Sequence, residues 1–177
     1  ILKDISFQAK KGQMIGITGP VACGKSTLGK AFLCEYPYEG QILVDGEELQ
    51  NMTPSQRTGI IGYLGHDPEL FNDSVENNVL LGEKKNAEDF LRMVCMDEEV
   101  KVMDDGIQTL VGNGGVRLSG GQGKRLALAR TLCHKKPVLV LDDPFSALDK
   151  STERQIFANL KEQSKNNIVL LISHRLY

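Results

Sequence analysis

Gly19-Pro20-Val21-Ala22-Cys23-Gly24-Lys25-Ser26 fits the spacing G-x-x-x-x-G-K-[ST] without a mismatch. Small residues in that order let successive backbone N–H groups turn inward around anionic oxygens, and a following helix adds its positive end. Lys25 is spaced to reach the β- and γ-phosphates of a nucleotide, and Ser26 offers a hydroxyl to Mg²⁺. Thr27 can cap the loop or touch the α-phosphate. The context is also right: Met14 to Thr18 reads as a buried strand, and Lys25 to about Tyr36 as a helix. The segment therefore predicts a nucleotide site. Cys23 lies inside the loop, where a helix N-terminus lowers a thiol pKa whether or not that is used.

A second constellation stands where Val138-Leu139-Val140-Leu141 runs into Asp142-Asp143. An acidic pair at a strand end commonly does no more than start the next turn. In a chain that also carries a phosphate loop, the first acid is a candidate holder of Mg²⁺, usually through water, and the second can polarise an attacking water. The metal candidates are thus Ser26 and Asp142, and the catalytic candidate is Asp143.

Leu118-Ser119-Gly120-Gly121-Gln122, continuing into Gly123-Lys124-Arg125-Leu126-Ala127-Leu128-Ala129-Arg130, resembles the signature sequence of ABC (ATP-binding cassette) ATPases. Beside the resemblance, the residues have a legible logic. Ser119 and two glycines at a helix start make another anion cradle of exposed N–H groups and a positive dipole end. One complete cradle is already present, so this one is suited to a nucleotide held by another copy. In the family that is its use: two domains meet head to tail and sandwich two ATP molecules, each between one domain's phosphate loop and the other's signature. Ser146-Ala147-Leu148-Asp149 resembles the D-loop, which crosses the dimer interface. Ile172-Ser173-His174-Arg175 resembles the switch region, where His174 would contact the γ-phosphate and the attacking water.

The resemblance covers nearly the whole chain and implies ATP and Mg²⁺ as ligands. It also implies a second cassette and the transmembrane domains of a transporter as partners, with the domain on the cytoplasmic side of a membrane. The family's adenine-stacking aromatic would lie just before Ile1, and its closing strands and helix would follow Tyr177, so the chain reads as a piece of a longer polypeptide. Two positions depart from the family pattern. Asp143 stands where Glu is common, and its carboxylate is drawn back by roughly 1.5 Å, one methylene. His66, in Tyr63-Leu64-Gly65-His66-Asp67-Pro68, aligns with the Q-loop glutamine. Together with an intact signature, they suggest the weaker half of an exporter that pairs two unequal nucleotide domains.

Phe71 to Val79 resembles the exporter-type segment after the Q-loop, and Thr109 to Val116 a reduced form of the exporters' X-loop. An exporter ATPase is therefore expected. The alternatives are a soluble ABC ATPase of translation or DNA repair, or a regulatory ATP-binding module that hardly hydrolyses. Repair-type members carry long coiled-coil arms, and no heptad run stands between phosphate loop and signature here.

These residues need a scaffold. Buried strands at Met14–Thr18, Ile60–Leu64, Val138–Leu141 and Ile168–Ile172 alternate with helices, which predicts an α/β fold with a mainly parallel sheet flanked by helices. A further strand is expected over Ile1–Gln8, and another over Gln41–Asp45 ending in an Asp-Gly turn. Asn72 to about Asp104 is mostly helical in pattern. A glycine-rich loop, Val111 to Gly115, leads to a helix over about Gly120–His134, and a polar helix spans about Lys150–Ser164. The expected organisation is a P-loop sheet core over residues 1–65 and 137–177, with an inserted all-helical signature subdomain over about 66–136.

Composition sets the outer bounds. A net charge of −2, from 21 Lys+Arg against 23 Asp+Glu in short mixed clusters, gives no nucleic-acid footprint. No apolar run approaches the ~18 residues that span a bilayer, and no charged leader precedes an apolar block. Cys23, Cys34, Cys95 and Cys133 show no metal-ligand spacing and fit a reducing compartment. Of these, Cys34, Cys95 and Cys133 are expected to be small buried residues in apolar helical surroundings.

Overall fold

Four short apolar runs become one parallel sheet in the computed structural model, which describes residues 2–113 and 115–174. In chain order, β1 is Met14–Ile17, α1 Lys25–Ala31, β2 Leu43–Val44 and β3 Glu47–Glu48. A 3₁₀ turn, Leu49–Asn51, then precedes α2, Pro54–Ile60, and β4, Ile61–Leu64. Next come α3, Val75–Leu80, α4, Ala87–Met93, and α5, Asp97–Lys101. The chain closes with α6, Gly120–Cys133, β5, Val138–Asp142, α7, Lys150–Gln163, and β6, Ile168–Ile172.

The sheet order is β1-β6-β5-β4, with every pairing parallel. Such a sheet needs cover on both faces, so its strands are continuous apolar runs rather than alternating ones. Every residue of β5 is buried, the aspartate at its end included. Two compact units divide the chain. The first holds residues 1–66, 136–143 and 164–177; its core gathers Phe32, Leu49, Met52, Ile61, Val138, Val140, Leu170 and Ile172. Each fully buried aliphatic side chain there stabilises by about 1.5–3 kcal/mol.

The second unit holds residues 67–135 and 144–163. Its long helix α6 packs on α3 and α4 and is apolar almost all round, from Leu126 to Cys133, as a buried helix must be. The polar helix α7 joins this unit, whereas the sequence pattern assigns it to the sheet core. Contacts explain the difference: α7 packs on α4, and Asn159 Nδ2 donates to the Met93 carbonyl at 2.9 Å.

Local chemistry sets the boundaries. Thr53 and Gln56 cap α2 reciprocally, with Pro54 in its first turn. This helix is absent from the sequence reading although Thr-Pro-Ser-Gln is a legible start signal. Asp45 and Gly46, both with positive φ, turn β2 into β3 as the Asp-Gly pair predicts. The expected Gln41–Asp45 strand is only the two paired residues of β2. Helix α1 stops at Ala31 rather than Tyr36, and Cys34 takes φ 56° just beyond it. The helical stretch over 72–104 is three short helices, and its turns place Cys95 at φ 53°. Cys34 and Cys95 are therefore half-buried turn residues, and only Cys133 is the buried helical cysteine expected.

The Ile1–Gln8 strand is not formed over the described residues: Leu2, Ile5 and Phe7 stay 37%, 47% and 43% exposed. Alternation supplies a face but not a partner, and no described strand pairs with this segment. Ile1 itself, Gly114 of the glycine-rich loop, and Arg175 of the switch segment lie outside the described residues.

Candidate functional site

Register gathers the first site. Ile17 of β1 pairs with Ile172 of β6, which pairs with Asp142 of β5; Leu141 pairs with the Ile172 neighbour Leu171 and with Leu64 of β4. Four parallel strands thus end at one edge, and from those ends issue the phosphate loop, Asp142-Asp143, Ser173-His174 and Gly65-His66. Ligands of parallel α/β sheets sit at this carboxyl edge. Two backbone bonds lock it: Ser173 N donates to Ile17 O at 3.0 Å, and Asp143 N to Ile172 O at 2.8 Å.

The loop Gly19–Ser26 bends through left-handed Ala22 (φ 61°) and Gly24 (φ 99°). A side chain at Gly24 would also meet Leu2 within 3.0–3.3 Å, so this glycine is required twice over. Lys25 is 6% exposed. Its ammonium donates to Gly19 O at 2.8 Å and Pro20 O at 2.7 Å, and lies 3.8 Å from Cys23 Sγ. Ser26 and Thr27 follow in the first turn of α1, and Val21 is 82% exposed on the loop's outer side.

Asp142 is 3% exposed. A carboxylate buried at the edge where ligands sit is suited to a cation. No group of three or more His, Cys, Asp or Glu among the described residues could hold a metal alone. Tyr63, on β4, has its hydroxyl buried without a partner. Its pKa is pushed up to about 12, first by burial and then by the negative charges of Asp142 and Glu35.

Both departures from the family pattern fall on each other. His66 Nδ1 lies 3.8 Å from Asp143 Oδ2, with the aspartate 15% exposed and the histidine 48%. Asp143 takes φ 50°, a left-handed conformation that Asp tolerates better than most residues. His174 is exposed, one residue past the Ser173 anchor.

The second unit builds the other cradle. Ser119 caps α6: its hydroxyl accepts from Gln122 N at 3.2 Å, and Gln122 Oε1 accepts from Ser119 N at 2.9 Å. Leu118 precedes the cap, and Gly120 has open space where a Cβ would stand. Gly121 does not: a Cβ there would come 2.9 Å from Ala147 O and 3.4 Å from Leu148. The same helix reaches the Ser146 hydroxyl through Lys124 Nζ. Signature and D-loop are therefore one packed piece. Within it, Asp149 caps α7, accepting from Ser151 N and Oγ and from Thr152 N and Oγ1 at 2.6–3.0 Å. Those four bonds hold its carboxyl well below the usual range.

Two polar hubs behind the signature escaped the sequence reading. Asn78 is fully buried; its amide nitrogen donates to the Phe71, Asp73 and Ser74 carbonyls at 3.0–3.3 Å. Its oxygen accepts from Phe71 N and from Arg130, whose guanidinium also lies 4.7 Å from the Phe71 ring centre. A buried asparagine that meets all its partners locks the segment before α3. Asn78→Ala is expected to lower stability by about 2–4 kcal/mol, because several buried polar groups lose their partner together. Chemical denaturation checks this, and a midpoint unchanged within error would contradict it. The other hub is Glu99 with Arg125. Nothing in the sequence joins residues that far apart.

A glycine-rich loop closed by Lys25 with a buried acid at a sheet edge, and a serine-capped helix start packed on Ala147, carry the motifs expected of a cassette-type ATPase. The sequence model of the ABC transporter family matches residues 2–146, and the chain belongs to that family. A protein of Bacillus subtilis named as a probable multidrug resistance ABC transporter ATP-binding/permease protein, YheI, is 37% identical over 99% of this chain. The ATP-dependent lipid A-core flippase of Escherichia coli is 36% identical over 99% of it. The chain spans about a third of each relative's length, 31% in both cases. Among solved structures, a bacterial Atm1-family ABC exporter with ATP bound matches 93% of this chain at 31% identity and TM-score 0.85, over 30% of its own length. No helix of the described residues is long and apolar enough to cross a membrane.

Proposed function

We propose that this cassette binds and hydrolyses ATP as the motor of a membrane exporter, paired head to tail with a second cassette. The observation that carries the reading is the coexistence of two anion cradles in one chain. One stands around Lys25 at the sheet edge beside Asp142, and one is capped by Ser119 on the D-loop. In this reading Gly19 to Thr27 grip the phosphates, and the partner's signature closes over the γ-phosphate. Ser26 and Asp142 would hold Mg²⁺, which would supply neutralisation of the phosphate charge. Asp143 and His174 position a water in line with the γ-phosphorus. The water oxygen bonds to phosphorus as the bond to the bridging oxygen breaks, giving ADP and phosphate. Loss of the bridging charge opens the pair, and attached membrane helices move. Transmembrane domains are the other expected partner, with the cassette on the cytoplasmic side.

The finer reading, that this is the slower half of an unequal pair, is supported by the 3.8 Å approach of His66 to Asp143. A carboxylate engaged by imidazole and one methylene short is poorly placed to serve water. The test of the main reading is ATP-dependent association of the full-length protein with its partner cassette, followed by sedimentation in the presence of Mg²⁺ and slowly hydrolysed ATP. Association is expected to require both the nucleotide and Ser119. Pairing that ignores ATP, or no pairing at all, would sink it.

A further inference from the structure

We infer that Glu99 is a positioning residue for the signature segment: it fixes the Gln122 amide and, through it, the Ser119 cap that faces phosphate. The inference rests on the reading that this signature meets ATP held by a second cassette. Glu99 stands on α5, and its Oε2 accepts from Gln122 Nε2 at 2.9 Å. A carboxylate only accepts, so the amide nitrogen must face it. The amide oxygen is thereby turned toward Ser119 N, which it meets at 2.9 Å. A flipped amide would set donor against donor at Ser119 and open the cap. With the cap closed, the Ser119 hydroxyl accepts from Gln122 N, and its own proton remains to donate outward.

Glu99 is in turn rigidly held. Arg125, whose side chain is 9% exposed, grips both carboxylate oxygens, at 2.6 Å and 2.9 Å, and donates to Cys95 O at 2.5 Å. This bidentate pairing gives the carboxylate one orientation and holds its pKa below the usual range. Arg125 and Gln122 project from one helix to the same carboxylate, so the geometry of the cradle depends on a residue remote in sequence.

Glu99→Gln tests the inference, because it keeps the shape but breaks the bidentate grip: an amide that turns its oxygen to Gln122 Nε2 turns its nitrogen onto Arg125, and the residue loses its fixed orientation. In the full-length protein with its partner, ATP turnover is expected to fall about tenfold, the effect of losing one charge-assisted hydrogen bond. ATP affinity at this chain's own phosphate loop is expected to stay unchanged. Amide hydrogen exchange over 117–124 is expected to quicken about tenfold. In a Ser119→Ala background, Glu99→Gln should lower turnover no further. Unchanged turnover, unchanged exchange, or effects that multiply would overturn the inference while leaving the paired-cassette reading intact. A silent Ser119→Ala would overturn both. If Glu99→Gln does not fold, Gln122→Leu breaks the same link with the Glu99–Arg125 pair in place. It must then show the same loss of turnover, and normal turnover in it overturns the inference.

Discussion

Replacing Lys25 with alanine is expected to weaken ATP binding by at least about a hundredfold and to abolish measurable turnover. A preorganised donor aimed at developing or bound anionic charge is worth about 10²–10³ in rate. Lys25 is such a donor: buried in the bend of the loop, its ammonium is held by the carbonyls of Gly19 and Pro20. Removing it takes away the buried cation of the cradle and leaves two carbonyls without their donor. Lys25→Arg is not expected to restore function, because a planar fork does not fit where a compact ammonium is wrapped by backbone. Titration with a fluorescent ATP analogue measures the affinity. The ATP-induced rise in melting temperature, which follows from mass action, measures the same loss independently. Retention of wild-type affinity by Lys25→Ala would remove the phosphate loop from the account.

Lengthening Asp143 to glutamate is expected to act in the other direction and raise turnover at this site by up to about a hundredfold. A misplacement near 1 Å can cost that much, and one methylene restores roughly 1.5 Å of reach. The cost to the fold is small by comparison. Asp143 sits at φ 50°, where glutamate is strained by at most about 1–2 kcal/mol. A hundredfold in rate corresponds to about 2.7 kcal/mol. The pairing with His66 competes for the new carboxylate, so the gain should be larger when His66→Gln is added. The measurement is steady-state hydrolysis in the full-length protein with the partner's own catalytic acid neutralised, so that only this site turns over. Identical rates for Asp and Glu, at equal ATP affinity, would show that reach does not limit this site.

Much of this was written locally. The phosphate loop and the Ser119 cap are patterns of a few adjacent residues that local backbone physics is enough to form. The Asp45-Gly46 turn belongs to the same class. The apolar run Val138–Leu141 was legible as a strand that its neighbours β4 and β6 complete. The α2 helix was equally local in its Thr53-Pro54-Gln56 start, so its absence from the sequence reading is an unread signal rather than a missing one. The Ile1–Gln8 segment is the opposite case. Its alternation is real, but a strand exists only when another strand supplies hydrogen bonds.

What the amino-acid order determined was the chemistry available: which loop could cradle phosphate, which acid could hold a cation, which helix start could receive a second anion. Only the tertiary structure decided which of these groups share an edge or a carboxylate. Parallel register brought the ends of β1, β6 and β5 together, set His66 against Asp143, and joined Glu99 to Gln122 across 23 residues. The physical reason is that hydrogen bonds and burial act through space, while spacing in sequence fixes neighbours only within a turn, a helix or a strand.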